Sequence, residues 1–152
     1  MAVRSEMLGL EELARNVGNI RAELTGDRLA RAGEASMNIM ANAARQKAPY
    51  RTGTLRRSIH VEVTEVGAHS AMVEVGTGED VPYAAIQEFG GVIVPKIAKM
   101  LAWRDRGTGE MIFAKSVTIP ARPYMRPAWD ETIDKVKDSI IKILKNLIEK
   151  GR

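Results

Sequence analysis

The side chains best suited to proton transfer or metal binding at neutral pH are two histidines, His60 and His69. The local pattern places His60 outward on a strand and His69 in a turn, and neither has a nucleophile nearby to form a base–nucleophile pair. His60-Val61-Glu62 has the His-x-Glu form of a zinc deaminase. That chemistry requires two further metal ligands, normally cysteines, and the sequence contains no cysteine. Gly76-Thr77-Gly78 is too short for a phosphate-cradling loop and lacks its lysine, so a turn is its expected role. Glu79 and Asp80 are adjacent acidic residues of a solvated loop. No catalytic set, metal cage or cofactor site emerges, and the expectation is a protein that is not an enzyme and carries no cofactor.

A net charge of +4 raises the possibility of nucleic-acid binding, which depends on where the charges fall. Residues 1–48 carry 7 basic and 6 acidic side chains, residues 49–126 carry 10 and 8, and residues 127–152 carry 6 and 5. Counted this way the charge is spread thinly, whereas DNA-binding modules concentrate lysine and arginine on one face or tail. The densest basic group is Arg51, Arg56 and Arg57.

Three connectors have unusual chemistry. In the first, from Ala48 to Ile59, Pro49 stops a helix, Thr52-Gly53 makes a turn, and Leu55 and Ile59 lie four apart on a short helical segment. The second runs through Tyr83-Ala84 to Glu88-Phe89-Gly90. The third, Ile119-Pro120-Ala121-Arg122-Pro123-Tyr124-Met125-Arg126-Pro127-Ala128, has three prolines, each fixing φ near −65° and together stiffening the segment. That stiffness would hold Arg122, Tyr124 and Arg126 in set directions. It could dock Glu88 against an arginine, Arg51 or Arg122, or it could present Tyr124 and Met125 to a partner.

The elements that must position these connectors follow from periodicity. Leu10, Leu13, Val17, Ile20 and Leu24 recur at helical spacing; the phase slips at Thr25-Gly26-Asp27, predicting two helices or one kinked helix that ends before Pro49. Gly26 costs about 1 kcal/mol in a helix interior. The alanines of 41–48, with Gly33 and Ser36, permit close approach of another element. From Ile59 the period becomes two, so 59–63 and 71–75 form a hairpin, and Lys99–Arg104 with Glu110–Ile119 form a second candidate pair. Tyr83–Phe89 reads as two helical turns stopped by Gly90-Gly91. A last helix begins near Pro127 and runs to about Glu149. Its apolar stripe is wider than one packing partner demands: either the sheet and the N-terminal helix of its own chain share it, or another chain covers Ile140, Leu144 and Ile148.

The expected architecture is α+β, with N-terminal helices and a C-terminal helix packed on a mainly antiparallel four-stranded sheet. At 152 residues the chain has room for one domain: helical over 1–48, sheet over 58–119 with a short helix at 83–89, and a terminal helix over 127–149. No window is apolar enough to span a membrane, and Met1 to Leu10 lacks the apolar run of a signal peptide. The chain is expected to be made in the cytoplasm and to stay there unless it leaves inside a larger particle.

Ala-Pro-x-Arg-Thr-Gly-x-Leu-Arg at 48–56, Tyr-Ala-x-x-x-Glu-Phe-Gly at 83–90 and Ile-Pro-Ala-Arg-Pro-Tyr-Met-Arg-Pro-Ala at 119–128, in this order, resemble a tail-component family typified by the tenth gene product of the lambdoid siphophage HK-ninety-seven. The resemblance implies a structural protein of a tailed phage or prophage, assembled in the host cytoplasm and carried in the virion. It places the protein at the head-to-tail connection, as a homo-oligomeric and often sixfold ring around the DNA channel. Connector or stopper, tail terminator and tail tube proteins would be its partners, with DNA passing the lumen without specific binding. Arg51, Arg56, Arg57, Arg122, Tyr124, Met125, Arg126, Ile140, Leu144 and Ile148 are then the expected partner or subunit contacts. Pro49, Gly53, Tyr83, Glu88, Phe89, Gly90, Pro120, Pro123 and Pro127 carry the motif. Two rivals stand beside this reading: a tail terminator, and a small basic nucleic-acid-binding domain.

Overall fold

The computed structural model describes residues 10–151, so the signal-peptide reading of the N-terminus lies, apart from Leu10, outside the described residues. The first third forms two helices, α1 (Leu10–Glu23) and α2 (Gly26–Lys47), with Thr25 in an extended conformation between them. Gly26 is needed for close approach: its N–H donates to Ala68 O at 3.0 Å, and a Cβ there would overlap the carbonyl oxygen of Gly67. His69 ties down the same corner. Its Nδ1 donates to Leu24 O at 2.8 Å, leaving Nε2 to accept from Arg21 Nε at 3.3 Å. This histidine is a structural clasp.

After Pro49 come α3 (Thr54–Ser58), β1 (Ile59–Val66), β2 (Ala71–Thr77), α4 (Ala84–Phe89), β3 (Gly91–Ile93), β4 (Leu101–Arg104), β5 (Met111–Ala114), β6 (Val117–Ile119) and α5 (Met125–Lys150). The chain is α+β, as its patterning predicts, but the strands do not form one four-stranded sheet. They form three two-stranded antiparallel ladders, β1–β2, β3–β6 and β4–β5. The segment expected as one strand over Glu110–Ile119 bends at Lys115, and its second half turns to pair with β3. β3 is only three residues long and carries no period-two signal. Gly90 (φ +68°) and Gly91 (φ +155°) turn the chain directly from α4 into it.

α2 packs on β1 and β2 with one flank and on α5 with the other, so the layers run sheet, α2, α5. The last helix therefore covers α2 and not the sheet, a correction to the expected packing. The small residues of α2 serve both flanks. A Cβ on Gly33 would lie 2.8 Å from Val73 of the sheet, while Ser36 Oγ bonds Ser139 Oγ of α5 at 2.9 Å. Ala41, Ala44, Ala48, Leu55, Ile59, Tyr124, Ala128 and Val136 form the core between these layers. Burying a side chain such as Leu55 or Ile59 contributes about 1.5–3 kcal/mol.

The broad stripe of α5 is divided. Val136 is buried and Ile140 packs against the core, so Ile140 belongs to its own chain's interior; Leu144 is half-buried, and Ile141 and Ile148 are exposed. α1 touches α5 and has no buried residue. None of the helices is long and apolar enough to cross a membrane among the described residues.

Candidate functional site: the junction of three connectors

Glu88 is the centre of the junction. Its side chain points from α4 to the start of α5, where Oε2 accepts from the backbone N–H groups of Tyr124 at 2.7 Å and Met125 at 2.9 Å, and Oε1 accepts from that of Arg126 at 3.0 Å. A helix leaves its first N–H groups without intrahelical partners and carries partial positive charge at that end. Glu88 supplies the missing acceptors, Pro127 has no N–H to satisfy, and Ala128 N–H donates to Tyr124 O at 3.3 Å. The expected pairing of Glu88 with Arg51 or Arg122 is thus replaced by a cap. No arginine side chain takes part in it, because three backbone donors already engage both oxygens. Burial acts to raise the Glu88 pKa, but the three backbone hydrogen bonds together hold it below the usual carboxylate range.

The same strand of connector is fixed twice more. Arg122 N–H donates to Gln87 O at 2.7 Å, and Gly90 sits so close to the connector that a Cβ there would lie 2.7 Å from Ala121 N and 2.9 Å from Ile119 O. Tyr124 is only 1% exposed, so its ring is spent in the core and not presented to a partner, contrary to the expectation for it. Burial, followed by the nearby Glu88 charge and Tyr83, pushes its hydroxyl up to about 12. Met125 is half-buried against the core, while the Arg122 and Arg126 side chains are exposed, as are Pro120 and Pro123.

On the first connector, Arg56 turns inward over the end of α2. Its Nε donates to Ala48 O at 2.9 Å, and its guanidinium lies 5.0 Å from the centre of the exposed Tyr50 ring. Arg57 reaches Thr52 O at 3.4 Å from the far side of the turn made by Gly53. Arg45, which no local pattern singles out, donates twice to Ile59 O, at 3.0 and 2.7 Å. Replacing Arg56 by alanine strands the last carbonyls of α2 and removes the ring stacking. A loss of about 1 kcal/mol is expected, read as a lowered urea midpoint with unchanged slope.

All three connectors meet around one cavity of about 470 Å³. Pro49, Arg51 and Leu55 come from the first, Tyr83, Ile86 and Gln87 from the second, and Ile119 opens the third. Ile93 and, unexpectedly, Arg106 complete the wall; the tip of a distant loop turning back over a groove leaves no trace in local periodicity. The lining is mostly apolar, with Arg51 and Arg106 as its cations; Phe89, at the end of α4, is 79% exposed. No nucleophile and base come together here, and among the described residues no group of His, Cys, Asp or Glu could hold a metal ion. His60 bonds Ser58 O at 2.8 Å through Nδ1.

The fold and junction define an α+β chain whose three connectors frame a mostly apolar cavity. The family described as "Bacteriophage HK97-gp10, putative tail-component" matches residues 11–90, more than half of the chain. The protein belongs to that family and is a component of the tail of a bacteriophage particle. No curated protein and no solved structure matches it.

Proposed function

We propose that this tail component acts at the head-to-tail junction of the virion, completing or joining the tail as a ring of identical single-domain subunits around the DNA channel. The observation that carries the reading is the junction built by Glu88. Glu88 fastens the second connector to the third through three backbone hydrogen bonds, and all three connectors line one mostly apolar cavity, an arrangement that serves protein binding and no reaction. A ring requires two different surfaces on each subunit, joined by rotation. Exposed Ile141 and Ile148 on α5, Arg51 at the cavity, Phe89 at the end of α4, and the unburied α1 face supply candidates on separate elements. DNA passes without specific binding, because Arg56 and Arg57 direct N–H groups to carbonyls of their own chain and not to phosphates.

The test is a phage whose copy of this gene is interrupted. Filled heads and separate finished tails are expected, with joining restored by adding the purified protein to the lysate. Tails of uncontrolled length would instead make the protein a terminator, and normally joined particles would overturn the proposal. Mass photometry of the pure protein should show rings of about six subunits, the closed cyclic form that such an interface generates.

A further inference from the structure

β3 and β6 form the base, and β4 and β5 the distal part, of a two-stranded arm over residues 91–119. Its ladder is apolar on both faces. Trp103 and Ile112 are paired on one, Phe113 (60% exposed) and Met111 lie on the other, and Ile97, in the stretch between β3 and β4, is fully exposed. A two-stranded ribbon is marginal in water on its own, and apolar residues on both faces call for a covering partner. The arm is also basic: Lys96, Lys99, Arg104, Arg106 and Lys115 stand against Asp105 and Glu110.

The β1–β2 hairpin has the opposite character. Between Arg57 and Lys96 the sequence contains neither lysine nor arginine. Val61, Val63, Val73 and Val75 turn toward α2, which leaves Glu62 and Glu74 on the outer face, directly opposite one another in the ladder. Like charges so placed repel. The register shift between Val63 and Glu65 rotates Glu65 onto that same face, opposite Met72. Three glutamates and one exposed methionine thus form a surface to which nothing in the same chain contributes a lysine or arginine from the hairpin itself. Within one chain the arm and the hairpin belong to separate ladders.

The geometry points to a contact in which the arm of one subunit lies across the acidic outer face of the β1–β2 hairpin of a second copy of this chain. Charge complementarity selects that occupant: the arm's cations relieve the Glu62–Glu74 repulsion, and its apolar side chains meet Met72. Arm and hairpin are different patches, so the contact is heterologous, and repeated by rotation it closes a ring. It rests on the ring reading above and names the surfaces that the ring would use.

The absence of native cysteine makes the test direct. Glu74→Cys and Arg104→Cys chains are purified separately and treated with a short bifunctional maleimide, alone and mixed. Covalent dimers are expected in the mixture and in neither chain alone. No dimer in the mixture, or dimers equally strong in each chain alone, overturns the contact. A Glu62→Lys/Glu74→Lys chain should associate with itself at least about tenfold more weakly and recover when mixed with a Lys99→Glu/Arg104→Glu chain, whereas a uniform loss without recovery counts against it. A strictly monomeric parent protein also overturns it. Rings in mass photometry without the expected cross-link overturn the contact alone, a strict monomer overturns the contact and the ring together, and the head-to-tail reading is tested separately on phage particles.

Discussion

Replacing Glu88 by alanine should lower the stability of this protein by about 3 kcal/mol, since three N–H groups at the start of α5 lose a charged acceptor in a site that water reaches poorly. For a chain of this size that is a fall in melting temperature of roughly 6–12 °C. The effect should be larger than for an ordinary helix cap, where removal costs about 0.5–2 kcal/mol, because Glu88 also fastens α4 to the third connector. Thermal unfolding followed by circular dichroism checks it. A variant that melts with the parent would mean that the α5 N-terminus is held by the prolines alone.

The same carboxylate makes stability depend on pH. Its folded-state pKa lies below the ordinary glutamate range, so its contribution is fully present above that range and is lost as pH falls through the lower folded value. Glu88→Gln keeps the shape and one carbonyl acceptor but cannot titrate, and its amide N–H₂ faces backbone donors. The parent should therefore outlast Glu88→Gln at neutral pH, and the gap between their melting temperatures should close on acidification below the ordinary glutamate range. A gap that is constant with pH would mean that the charge on Glu88 contributes nothing.

Periodicity made the helices legible because α2 and α5 each bury a continuous stripe, and the β1–β2 hairpin because Val61, Val63, Val73 and Val75 alternate with polar residues. The other strands were harder for a physical reason. β3 and β6 are three residues long and pair across twenty-odd positions of chain, and such a pairing depends on the Gly90-Gly91 turn, not on any alternation within the strands. The three connectors could be recognised as special from proline, glycine and charge, yet the role of Glu88 could not. A glutamate that caps a helix 36 residues away has no local signature, and an arginine is the more obvious partner for it. The net charge of residues 49–126 likewise conceals the separation between an acidic hairpin and a basic arm, since both fall in that one segment and nearly cancel.

The second large effect is expected at Ala44. This residue is fully buried on α2, the helix that must accommodate the β1–β2 sheet on one flank and α5 on the other. Two neighbours can approach one helix so closely only if its facing residues are small, which is the physical content of Ser36, Ala41 and Ala44 on α2, Ala48 just after its end and Ala128 on α5, all at 0% exposure. Ala44→Leu adds three carbons where no space remains, so α2 must separate from a neighbour or force side chains out of their rotamers. Overpacking of this kind costs about 1–3 kcal/mol, and a residue enclosed on all sides should fall at the upper end, with a melting temperature lower by roughly 6–12 °C. Leucine and alanine are both good helix formers, so the loss cannot be assigned to propensity. Ala14→Leu on the exposed α1 serves as the control and should stay within about 0.5 kcal/mol of the parent. If Ala44→Leu melts like that control, the layers are not held at the spacing their alanines imply, and the placement of α5 over α2, on which the junction at Glu88 depends, would have to be abandoned.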